Sequence, residues 1–83
     1  MVNLKSDLWM DTAYCDGTRI YGTSFEVLEE MRERLNPDRK FEKMNGIVSF
    51  KVNPNEARRA ELLGAAMVNS GYIARLMRQE KLV

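Results

Sequence analysis

Ile47-Val48-Ser49-Phe50-Lys51-Val52 is the stretch on which the fold turns. Apolar and polar residues alternate here with the period of a strand, placing Val48, Phe50 and Val52 on one face and Ile47, Ser49 and Lys51 on the other. Asn53-Pro54-Asn55-Glu56 follows directly and has the order of a helix start, with Asn53 as N-cap, Pro54 at the first helical position and Glu56 at the third. The helix is predicted to run to about Ala66 or Met67. Ala57, Ala60 and Gly64 give it a narrow seam of small residues, and Leu63 and Met67 supply bulk. The run Met67 to Gly71 interrupts it, with Asn69 in left-handed geometry ending one helix and Ser70 capping the next. That last helix spans Tyr72 to about Gln79, with Ile73, Leu76 and Met77 inward.

Working back toward the N-terminus, Asp38 to Asn45 reads as a charged connector whose Phe41 and Met44 tuck onto the domain. Before it, Thr23-Ser24-Phe25-Glu26 is a capping box with Thr23 as the cap. It opens a helix with Phe25, Leu28, Met31 and Leu35 on one stripe and a Glu30–Arg34 pair on the wet side, and Asn36-Pro37 ends it. Leu8 to Cys15 and Thr18 to Gly22 read as a hairpin about an Asp16-Gly17 type I′ turn, pairing Cys15 with Thr18 and Tyr14 with Arg19. One face then carries Trp9, Ala13, Cys15 and Ile20, the better core candidate. The other carries Met10, Tyr14, Arg19 and Tyr21. The fold class is therefore α+β in the order ββαβαα, one domain over 1–83, with a hairpin–helix half (1–45) and a strand–helix–helix half (46–83).

Composition narrows the function. The chain has 83 residues and a formal net charge of +1, split as −2 over 1–43 and +3 over 44–83, which suggests two binding surfaces. There is no histidine, so the usual general base near neutral pH is missing, and a single cysteine leaves the common zinc ligand sets without members. No glycine-rich phosphate loop is present. Asp7, Asp11 and Asp16 read as solvated residues of a strand and its turn. These observations predict a protein that is not an enzyme and has no cofactor, metal or small-molecule substrate. Cys15 reads as a small buried apolar residue. One cysteine and no signal peptide point to the cytoplasm, and no apolar run is long enough to span a bilayer.

The unit from Ile47 to about Leu82 resembles the ribbon-helix-helix family of DNA-binding proteins. The likeness is carried by Val48-Ser49-Phe50-Lys51-Val52, by Asn53-Pro54-Asn55-Glu56, and by Val68-Asn69-Ser70-Gly71-Tyr72-Ile73-Ala74-Arg75. The run Tyr21 to Glu29 is similar to the glycine-led helix start of the module that precedes such a unit in HicB-like antitoxins. The resemblance implies a homodimer that pairs its strands across two chains and lays the ribbon in the major groove. Ser49 and Lys51 would then face base edges, Ile47 a thymine methyl, and the amides around Asn69, Ser70 and Gly71 a backbone phosphate. The chain departs from the family pattern in having Met67-Val68-Asn69 where a glycine is usual, and in offering Lys51 as the strand's single cation.

A second reading stands beside it. Residues 47–52 can join the sheet begun by 8–22, giving one antiparallel sheet with helices on one face. Such a protein, of a kind common in phage and mobile elements, acts by covering a host protein or complex. Its contact surface would be the exposed hairpin face of Tyr14, Arg19 and Tyr21. A homodimer is expected, since so small a domain gains from sharing apolar surface and the ribbon requires strand exchange between chains, whereas the single-sheet reading also stands for a monomer.

Overall fold

The computed structural model describes residues 12–83. The chain is α+β. Its elements are β1 (Ala13–Cys15), β2 (Arg19–Gly22), α1 (Phe25–Leu35), β3 (Glu42–Met44), β4 (Ile47–Lys51), α2 (Pro54–Leu62), β5 (Ala66–Met67) and α3 (Ser70–Arg78). The predicted ββαβαα order holds with two short strands added. All five strands form one sheet in the order β3-β4-β2-β1-β5. Neighbours are antiparallel except β1 and β5, which run parallel. The two halves read from the sequence thus share a single sheet. The start of the predicted first strand, 8–11, with Trp9 and Met10, lies outside the described residues, as does Asp7.

The hairpin register differs from the expected one. Cys15 faces Ile20 and Tyr14 faces Tyr21, because the turn centres on Gly17-Thr18 and not on Asp16-Gly17. The cause is the Asp16 carboxylate, which accepts from the amides of Thr18 and Arg19, both at 2.9 Å, and so takes up the loop donors itself. Gly17, at φ 97°, is the only positive-φ residue of the turn, whereas a type I′ turn needs two. The slip is two residues, an even number, so Ala13, Cys15 and Ile20 keep one predicted face and Tyr14, Arg19 and Tyr21 the other.

One face of the sheet is the main core. Ala13, Cys15, Ile20, Phe50 and Val52 meet Leu28, Met31 and Leu35 of α1 and Ala57, Ala60 and Ala65 in and after α2. Gly22 lets α1 come this close: a Cβ there would stand 2.7 Å from a Val27 methyl and 3.0 Å from Leu28. Phe41 does tuck down, its ring 4.9 Å from Phe25 and 5.9 Å from Phe50, with the Arg32 guanidinium 4.8 Å from its centre. Met44 instead points outward and is exposed.

Helix ends account for several differences. Ser24, not Thr23, caps α1 by accepting from the Val27 amide, while the Thr23 hydroxyl accepts from the Thr12 amide. The Glu30–Arg34 pair forms as expected. Asn53 and Glu56 make the reciprocal capping box of α2. That helix stops at Leu62, short of Ala66. Gly64, at φ 109°, takes the left-handed position; its amide donates to Glu61 and the Ala65 amide to Ala60, the paired bonds of a Schellman ending. α3 is capped by Asn69, in extended geometry, and not by Ser70. The predicted connector 38–45 contains β3, turned into β4 by Asn45 and Gly46 at φ 54° and 79°, the two positive values of a type I′ turn.

The second face is also covered, by α3. Ile73, Leu76 and Leu82 pack on Tyr21, with Tyr14, Ile47, Val68 and Met77 around them. Helices therefore lie on both faces of the sheet, not on one. α3 ends with Glu80 at φ 57° in a second Schellman arrangement, Lys81 amide to Leu76 carbonyl and Glu80 amide to Met77 carbonyl. The tail then returns to the sheet. β2 and β4 pair at Arg19↔Lys51 and Ile20↔Phe50 and then part. Where the ladder would next join Val48 to Gly22, Val83 stands between them: the Val48 amide donates to Val83 (2.8 Å) and the Val83 amide to Gly22 (3.1 Å).

Candidate functional site

The residues singled out from the sequence fall into three places. Ser49 is 1% exposed, covered by the Arg19 guanidinium, whose Nη1 donates to its hydroxyl at 3.2 Å. Ile47 lies half-buried under α3. Only Lys51 of the expected base-reading trio is exposed. β4 is flanked by β2 and β3 within the chain, where the two-chain ribbon would pair it with its copy. Asn69, Ser70 and Gly71 are exposed together at the start of α3, though the Asn69 side chain already takes the Tyr72 amide at 2.8 Å.

The hairpin face of Tyr14, Arg19 and Tyr21 is not an open surface. Tyr21 is buried beneath α3, and burial pushes its phenol above the ordinary value. Tyr14 is partly covered, its ring 6.0 Å from that of Tyr72. Arg19 is held by Glu42 at 2.6 Å, and its hydrogen bond keeps that exposed carboxyl below the usual range. The sequence signal for this covering lay in Ile47, Tyr14 and Tyr21 themselves, an apolar second face that needs a layer of its own.

A buried polar clasp sits on the opposite side. Glu56 is 6% exposed and accepts from the Asn53 amide (3.0 Å), Asn36 Nδ2 (3.1 Å), and Arg39 Nε and Nη2 (3.2 and 2.9 Å). Burial alone would raise this carboxyl, but those donors outweigh it and hold it below its ordinary value. With three donors on Oε1 and one on Oε2, it is a structural joint between α1 and α2. Cys15 is a fully buried free thiol, and burial raises its pKa, away from reactivity. Among the described residues no three His, Cys, Asp or Glu groups converge in a metal-binding arrangement, and no helix is long and apolar enough to cross a membrane.

The feature that the sequence reading missed is the edge of the sheet at β5. Six large apolar side chains are exposed among the described residues, and four of them, Leu62, Leu63, Met67 and Tyr72, fall within residues 62–72. This segment is the α2–β5–α3 connection along one sheet edge. Leu62 is 82% exposed, and Leu63 and Met67, expected to be helix bulk in the core, are 40% and 42% exposed. Leu62-Leu63-Gly64-Ala65-Ala66-Met67-Val68 contains no charged residue. The other edge strand, β3, carries Glu42 and Lys43, the kind of charge that guards an edge against pairing. No family model, curated protein or solved structure matches the chain.

Proposed function

We propose that this chain is a non-catalytic binding protein that engages a polypeptide along its α2–β5–α3 edge. The observation that carries the reading is the uncharged run 62–68, in which Leu62, Leu63 and Met67 are exposed and which contains the outermost strand of the described sheet. Exposed apolar residues that gather at one unguarded edge mark an association surface, whereas scattered ones do not. Tyr72, with Arg75 beyond it, extends this strip onto α3 with residue types that dominate protein interfaces.

A polypeptide partner accounts for the surface better than DNA does. Arg58 and Arg59 lie on α2 and Arg75 and Arg78 on α3, against opposite faces of the sheet, so the cations form no single stripe for a phosphate backbone. Two of the three side chains expected to read bases are under cover. The buried free thiol of Cys15 suits a reducing cytoplasmic setting.

The test is site-specific photo-cross-linking in cells, with the cross-linker replacing Leu62 or, as control, Glu26 on the outer side of α1. Polypeptide adducts from position 62 and none from 26 support the reading. Retention on DNA that falls steeply with salt and disappears in Lys51→Glu, with no adduct from position 62, would overturn it.

A further inference from the structure

The backbone at β5 shows what kind of partner fits. The Val68 amide donates to the Cys15 carbonyl at 2.9 Å, and β5 runs parallel to β1 with Tyr14↔Ala66 and Cys15↔Met67 in register. Successive residues of a strand turn their N–H and C=O groups to opposite edges. Ala66 and Val68 therefore address β1, and Met67 between them turns its N–H and C=O away from the sheet. The Met67 side chain shares the face of Cys15, the side on which α2 lies, so it stands on the same side as Leu62 and Leu63. Val68 points to the other face and packs under α3.

We propose that the partner at this edge is a second copy of the chain, joined antiparallel about a two-fold axis at Met67 into one continuous ten-stranded sheet. The inference rests on the polypeptide-binding reading above and names its partner. One outward residue offers one donor and one acceptor, and a two-fold axis satisfies both with the same groups of the partner subunit's Met67. On such an axis the central residue meets its own copy and the residues beside it meet the partner's residues on the other side, so a charge at the axis is set against its like. Residues 62–68 have none. The β3 edge, by contrast, would set Lys43 against itself. In an antiparallel hydrogen-bonded pair, side chains on one face lie side by side. Both Met67 side chains thus meet on the α2 face.

The proposal is tested by sedimentation and light scattering of the purified full chain at about 100 μM, far above the dissociation constant of a stable dimer, with circular dichroism and thermal melting as folding controls. The wild type should run at twice the 9.6 kDa chain mass. Met67→Pro removes only an outward N–H and leaves the bonds of Ala66 and Val68 to β1. It should give a folded monomer, while Met67→Leu stays dimeric. Met67→Glu, which sets like charges on the axis itself without removing a backbone donor, should also give a monomer and serves if the proline variant fails to fold. A wild-type monomer, or a dimer that survives Met67→Glu, overturns the proposal. If the wild type is monomeric yet position 62 still cross-links to another polypeptide, self-pairing falls and the binding reading stands; if it cross-links to nothing, both fall.

Discussion

Glu56→Ala is the substitution whose cost can be worked most directly from the structure. It removes four hydrogen bonds at once: one to the Asn53 amide that closes the α2 capping box, one to Asn36 Nδ2, and two to Arg39. Loss of a cap interaction costs about 1 kcal/mol. Charge-assisted bonds add about 1.5–3 kcal/mol each when buried, but Arg39 is about one-third exposed and water recovers part of that loss. These bonds share one carboxylate and do not add, so the total expected is about 2–4 kcal/mol, a large fraction of the roughly 4–12 kcal/mol expected for a domain of this length. Urea denaturation should show a lower midpoint with an unchanged slope, and thermal melting a fall of roughly 10–30 °C, at about 4–8 °C per kcal/mol. Glu56→Gln keeps the shape and one acceptor and should cost about 1–2 kcal/mol. A cycle with Arg39→Ala should return a coupling of about 1–2 kcal/mol. If Glu56→Ala lay within about 0.5 kcal/mol of wild type, the clasp would be an ordinary surface pair, and the account of how α1 and α2 are joined would be wrong.

Glu56 and Glu42 both titrate below the ordinary carboxyl value of 4.5 when folded, so their contribution is complete above that value and is lost as pH falls through the lower folded one; the urea midpoint should drop below about pH 4.5, and less so in Glu56→Gln. Phe50 is fully buried and Lys51 exposed on the opposite face, so Phe50→Ala should cost about 3–5 kcal/mol and Lys51→Ala less than about 0.5 kcal/mol, measured by chemical denaturation. Glu80 holds a left-handed position that glycine fills in the matching ending of α2; Glu80→Gly should raise stability by about 0.5 kcal/mol, the strain relieved less the added chain entropy, and a loss of more than about 0.5 kcal/mol in the same assay would contradict the Schellman assignment.

What could be read from the sequence depended on length and period. Residues 47–56 announce themselves, since six alternating positions and a complete capping box leave little choice of structure. The hairpin faces were legible even though the turn was misplaced, because an even slip preserves sidedness. β3 was hidden by its own edge position: Glu42 and Lys43 carry no apolar alternation, and the Asn45-Gly46 signal was present but had no hydrophobic strand in front of it. β5 was hidden by brevity. Two residues cannot show a period, and Ala-Ala-Met-Val continues a helical pattern as readily as it forms a strand. Only Gly64 marks the stop. The candidate site was the least legible part, because exposure of Leu62 and burial of Ser49 depend on what packs against each, and that is set by the tertiary arrangement.

The position of Val83 has a consequence for the order in which the chain can fold. The gap between β2 and β4 is filled by the last described residue, so this part of the sheet is complete only when the tail lies back against it. During synthesis the hairpin, α1 and the β3–β4 pair emerge well before the residue that bridges them, and the sheet stays incomplete until residue 83 has cleared the ribosome. Loop-closure entropy makes such a distant contact slow to form. The Val48 amide, bonded across to Val83, consequently acts as a reporter set in the middle of the sheet: its hydrogen-exchange protection reads whether the tail is seated there.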